Sequence, residues 1–231
     1  MIQSINEQDS MTTLMIQHEK IASLILEGGS IHTDGEGTIL TTKECLLHSN
    51  RNPNLTQDEI EHMVLQATGC IKMIWLDHGL AYDDDTNGHI DNWACFVKPG
   101  HIVLAWTDDI DSDPINYKNC RESLNTLQNS TDACHQALTI HKLYLPSPPI
   151  QYIIDLEDVP TTSTDTATTR TDRNGGASNV KDNVNTGCTN VIRKPDTQMA
   201  ASYVNFYIAN EAVIVPQFDC PIYDNKAMEL L

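Results

Sequence analysis

Gly88-His89-Ile90-Asp91 places an imidazole and a carboxylate two residues apart, directly after a glycine. At the start of a β-strand, residues i and i+2 point to the same face. Such a pair suits a general acid/base beside an anion that grips a cation. The same stretch also fits part of a calcium loop. Asp83, Asp85, Asn87, Gly88 and Asp91 fall at the first, third, fifth, sixth and ninth positions of an EF-hand pattern, but the twelfth, which needs a bidentate Glu, is Ala94. The residues that should open the second helix, 93–97, read as a strand, so the calcium reading fails. A second candidate is Leu26-Glu27-Gly28-Gly29-Ser30. An apolar run over residues 21–26 delivers a carboxylate at its end, and the glycines would let backbone come close to a ligand. By itself this segment is equally a strand cap and turn.

The elements that must position these residues recur along the chain. Residues 39–47 read as a strand after the Gly-rich turn Asp34-Gly35-Glu36-Gly37, and Asn52-Pro53 breaks the pattern. Thr56 with Glu59 three residues on is a capping box; the helix it opens runs to about Thr68, where Gly69 ends it. Residues 71–76 are a short apolar strand. The order then repeats: strands over 89–97 and 101–106 around Pro99-Gly100, a helix over 117–129, and a strand over 140–145. A third group has strands over 203–208 and 212–215 around Asn210, then a helix from Asp224 to the last residue, Leu231. Two strands, a helix and a strand, repeated, predict an α/β repeat architecture. Residues 161–190 are rich in Thr, Asp, Asn, Ser and Gly and bury too little apolar surface to offset chain entropy. A low-complexity, disordered insertion is expected over 153–198, with Pro146-Ser147-Pro148-Pro149 as its extended entry.

Composition narrows the partners. Fourteen Lys and Arg stand against 32 Asp and Glu, a formal charge of −18 over 231 residues. That surface repels phosphate backbones and suits a small cation. No stretch approaches the roughly 20 apolar residues of a membrane span, and the first 20 residues lack a basic n-region followed by an apolar run. A cytoplasmic chain with no nucleic-acid or membrane partner is expected. The seven cysteines, Cys45, Cys70, Cys95, Cys120, Cys134, Cys188 and Cys220, include no C-x-x-C pair, so disulfide and zinc readings are both weak.

Several motifs in order change the reading from generic to specific: Glu27-Gly28-Gly29-Ser30-Ile31-His32, Asp34-Gly35-Glu36-Gly37-Thr38, Arg51-Asn52-Pro53, Gly88-His89-Ile90-Asp91-Asn92 and Ser202-Tyr203-Val204-Asn205-Phe206-Tyr207. The chain thereby resembles the agmatine deiminases, guanidine-modifying enzymes of the peptidyl-arginine deiminase-like group. The resemblance implies a five-bladed α/β propeller (the pentein type), of which about three ββαβ units are expected in a single catalytic domain over 1–231. It implies hydrolysis of agmatine to N-carbamoylputrescine and ammonia through a cysteine adduct, without metal or cofactor. His89 would be the acid/base, Asp91 would grip the guanidinium, and Glu27 would hydrogen-bond the histidine or the substrate. The family's nucleophile lies in a late Gly-Gly-Asn-Ile-His-Cys segment and a second guanidinium carboxylate in an early Trp-x-Arg-Asp motif. Neither motif occurs in this sequence, so the chain is expected to be incomplete at both ends and inactive alone, and homo-oligomeric when full length. A truncated non-catalytic paralogue and a peptidyl-arginine deiminase stay open as alternatives.

Overall fold

The computed structural model describes residues 24–152 and 197–231. The first unit contains β1 (Ile31–Thr33), β2 (Thr38–Thr42), α1 (Lys43–Leu46), α2 (Gln57–Thr68) and β3 (Lys72–Leu76). β1 pairs antiparallel with β2, Ile31 opposite Thr41, and β2 pairs parallel with β3, Thr38 opposite Lys72. A parallel pair needs a crossover, which the helices supply. The second unit repeats the plan with β4 (Ala94–Lys98), β5 (His101–Trp106), α3 (Pro114–Gln128) and β6 (Thr139–Tyr144), again antiparallel then parallel. A hairpin, β7 (Tyr207–Ala209) and β8 (Ala212–Ile214), and helix α4 (Pro221–Leu230) follow. The result is a mixed α/β fold of small sheets.

Local sequence explains most of these elements. The Thr56 hydroxyl accepts the Glu59 amide at 3.3 Å while Glu59 Oε2 accepts the Thr56 amide at 2.8 Å, a capping box at the start of α2. Gly69 closes the helix at φ +72°. α3 opens at Pro114 rather than at 117, because proline lacks the amide that a first turn leaves unpaired. β2, central in its sheet, is buried along its whole length. One apolar cluster fills the second unit and takes in Tyr203, Val204 and Ala227; a smaller one, with Ile39, Ile60, Val64 and Trp75, lies in the first unit.

Two expected strands are shorter than the sequence suggests. The strand expected over 39–47 stops at Thr42, whose hydroxyl accepts the Cys45 amide at 3.2 Å and starts α1. The strand expected from His89 begins only at Ala94. Ile90 and Trp93, both fully buried, are three residues apart, and Ile90–Asn92 form a 3₁₀ turn instead. In the third group Tyr203 and Val204 enter the core, and β7 starts at Tyr207.

Most of the low-complexity stretch, 153–196, lies outside the described residues, as does Cys188. The described residues on its two sides meet: Tyr152 donates to the Thr197 carbonyl at 2.8 Å and Gln151 bridges Gln198. Among the described residues no helix is long and apolar enough to cross a membrane.

Candidate active site

Two threonines of β2 set the site's frame. Thr41 Oγ1 donates to the Ser30 carbonyl at 2.7 Å, and Thr42 Oγ1 donates to the Gly88 carbonyl at 2.6 Å. The end of one strand thus fixes both the segment after Glu27 and the loop before His89. Glu27 leads into a 3₁₀ turn, Gly28–Ser30, its carbonyl accepting from the Ser30 hydroxyl at 2.6 Å. Asn52 pins the chain just before it, through Ile25 in both directions at 2.9 and 3.1 Å and the Leu46 carbonyl at 2.9 Å.

The three residues expected from the sequence do meet. His89 Nε2 lies 2.6 Å from Glu27 Oε2, and His89 Nδ1 lies 4.0 Å from Asp91 Oδ1. The reason differs from the one the sequence offered: His89 and Asp91 are brought together by the 3₁₀ turn, not by strand alternation. Gly29 also has a different task. A Cβ there would collide with Asp91 Oδ2 and lie 2.6 Å from His89 Nδ1, so the glycine admits the side chains of His89 and Asp91 themselves.

Arg51 was legible only as part of a motif, yet it belongs to this cluster. Its Nε and Nη2 lie 2.8 and 2.7 Å from Glu27 Oε2. The signal in the sequence was faint, since a buried arginine is recognised by its partners rather than its neighbours.

The charges follow from this packing. Burial pushes the Glu27 carboxyl up, but hydrogen bonds and charge from His89 and Arg51 outweigh it and hold its pKa below the usual range. Glu27 is therefore an acceptor at neutral pH, and His89 Nε2 carries the proton in their bond, leaving Nδ1 beside Asp91. Asp91 is shifted the other way: burial raises its pKa, the Asp83 charge adds to this, and His89 opposes it. Its buried Oδ1 has no hydrogen-bond partner among the described residues. Asp91 also lines a recess of about 250 Å³ with His32, Cys95, Phe96, Val204 and Phe206.

Glu27, Cys45 and His89 bring metal-ligand types within 4.8 Å of one another. An ion there would have to displace Arg51 from Glu27 and break the Glu27–His89 bond, so the cluster is better built to handle protons. The Asp83 side chain, the first ligand of the rejected calcium pattern, is turned onto its own loop and binds the Thr86 amide and hydroxyl.

This chain is similar to known proteins along most of its length. An agmatine deiminase of Medicago truncatula is 43% identical over 209 residues, covering 90% of this chain and 49% of that protein. One of Pseudomonas syringae pv. syringae is 41% identical over 207 residues, covering 90% and 48%. The solved agmatine deiminase of Enterococcus faecalis superposes with a TM-score of 0.69 at 32% identity, covering 90% of this chain and 49% of that one. The chain thus spans about half the length of the relatives it matches. Residues 2–231 match the family described as Porphyromonas-type peptidyl-arginine deiminase, and the chain belongs to that family.

Proposed function

We propose that this chain carries the acid/base and guanidinium-gripping part of an agmatine deiminase site within a five-bladed α/β propeller. The observation that carries the reading is His89 Nδ1 set 4.0 Å from Asp91 Oδ1, a buried carboxylate oxygen that has no hydrogen-bond partner among the described residues. A guanidinium is planar and cationic, and a carboxylate binds it through paired N–H···O bonds. Asp91 supplies that acceptor. A thiolate then adds to the guanidinium carbon, His89 protonates the departing nitrogen as ammonia, and His89 next takes a proton from the water that displaces the thiolate. Glu27 keeps the imidazole oriented through both transfers. Agmatine is favoured as substrate by the relatives named above.

The attacking thiolate is neither of the two cysteines beside the site. Burial pushes the Cys45 thiol up to about 11 and the Cys95 thiol up to about 12, so both are neutral at physiological pH. The purified chain is therefore expected to bind agmatine without releasing ammonia. In NMR titrations agmatine should perturb the His89 and Asp91 signals, and Asp91→Asn should weaken binding roughly ten- to a hundredfold, the worth of a charge-assisted bond. Response to an arginyl peptide in place of agmatine would select the peptidyl-arginine reading. Response to neither would leave a non-catalytic paralogue. Ammonia release that disappears in His89→Ala would show that a cysteine of this chain makes the attack.

A further inference from the structure

Arg51 is a charged side chain only 5% exposed, and its bonds point in two directions. One side of the guanidinium holds Glu27 Oε2 through Nε and Nη2. The other holds the loop that ends in His89: Nη2 donates to the Thr86 carbonyl at 2.8 Å and Nη1 to Asn87 Oδ1 at 2.9 Å. Nη1 also lies 3.3 Å from Asn50 Oδ1, and Asn50 itself donates to Asn87 Oδ1. Asn87 adopts φ +57°, a left-handed conformation that the loop needs two residues before His89.

Glu27 shows why this matters. Its side chain is 46% exposed, and a carboxylate so open to water ordinarily samples several rotamers. Oε2 instead accepts from His89 and from two nitrogens of Arg51 at once. The groups acting on it are His89 and Arg51, with Cys45 within 4.8 Å; the Asp83 and Asp91 charges act on Cys45.

We infer that Arg51 is a positioning residue for His89: without touching substrate, it fixes Glu27 Oε2 against Nε2 and ties the 86–89 loop to the same guanidinium, so that Nδ1 is held beside Asp91. The inference rests on the reading of His89 as the acid/base. The planar fork of arginine can serve Glu27, Thr86 and Asn87 together; the single ammonium of lysine cannot. Misplacing a reacting group by about 1 Å can cost a hundredfold in rate, so such a brace is chemically significant.

The 231-residue chain itself allows the test, by proton and nitrogen NMR of the histidine side chains. Wild type should show a far-downfield Nε2 proton for His89, the mark of a short bond to a carboxylate. Arg51→Lys should lose that signal while the backbone amide spectrum away from residues 25–30 and 84–90 is retained. A folded Arg51→Lys protein with an unchanged His89 signal would overturn the inference. If Arg51→Lys does not fold, carboxyl-carbon NMR of the wild type decides. Glu27 should stay ionised below the ordinary glutamate range, and titration within that range would overturn the inference. Agmatine binding is scored separately. Its absence, with the His89 signal still responding to Arg51→Lys, would remove the deiminase reading and leave the brace in place.

Discussion

The buried Oδ1 of Asp91 accepts no hydrogen bond among the described residues, and burial raises the pKa of the group. A carboxyl whose folded-state pKa is raised has its stabilising balance below the unfolded value of 3.8 and loses it as pH rises through the folded value. At neutral pH the ionised group thus works against folding, so Asp91→Asn should raise stability while weakening guanidine binding. The gain should be about 1 kcal/mol, or roughly 2–4 °C in Tm, and should vanish in melts run below pH 3.8. A lower Tm at pH 7 would mean that the charge is compensated. Glu27 has the opposite sign: its lowered pKa contributes stability above 4.5 that is lost as pH falls through the folded value. Gly29 makes a steric counterpart. With the Cβ of Gly29→Ala 2.6 Å from His89 Nδ1, overpacking should cost about 1–3 kcal/mol and abolish the agmatine response of His89. An unaltered response would show that the 3₁₀ turn can retreat.

At the scale of elements, two threonines cap helices and differ in what else they do. Thr56 closes a solvent-facing capping box on α2. Thr56→Ala should cost about 1 kcal/mol and leave His89 untouched. Thr42 caps α1 and also donates to the Gly88 carbonyl. Thr42→Val leaves that buried carbonyl unpaired, a loss of about 1–3 kcal/mol, and should also shift the His89 resonances. Chemical denaturation with histidine NMR on the same samples separates the two effects; equal silence at His89 would show that the 3₁₀ turn alone holds the loop. The β7–β8 turn is a smaller case. Glu211 sits there at φ +61°, a region that glycine occupies freely.

At the scale of the molecule, many of the exposed large apolar side chains among the described residues gather in the last segment. Tyr207, Ile208 and Ile214 on the β7–β8 hairpin are 67%, 56% and 63% exposed, and Ile222 and Met228 on α4 are 68% and 56% exposed. Single exposed apolar residues are ordinary, whereas a run of them along one hairpin and one helix drives association. The purified chain is expected to self-associate at micromolar concentration by light scattering, and Ile208→Lys with Ile214→Lys should return it toward a monomer. A wild-type chain that stays monomeric and melts in one sharp transition would show that these faces are tolerated in water.

The sequence by itself determined the elements whose signals are local: the Thr56–Glu59 capping box, the Gly69 stop, the repeated order of two strands, helix and strand, and the ordered motifs that carry the family resemblance. Glu27, His89 and Asp91 were legible for the same reason, as short motifs with a chemical use. Tertiary structure decided what sits beside them. Ile90 and Trp93 turn inward three residues apart, so a 3₁₀ turn replaces the strand that alternation suggested. Arg51 reaches Glu27 across 24 residues and Asn87 across 36, and no spacing rule connects positions so far apart. Gly29 looked like room for a ligand and is room for His89 and Asp91. Local hydrogen bonds and periodicity are written along the chain, whereas the fields and clearances of a site depend on which distant segments the core brings into contact.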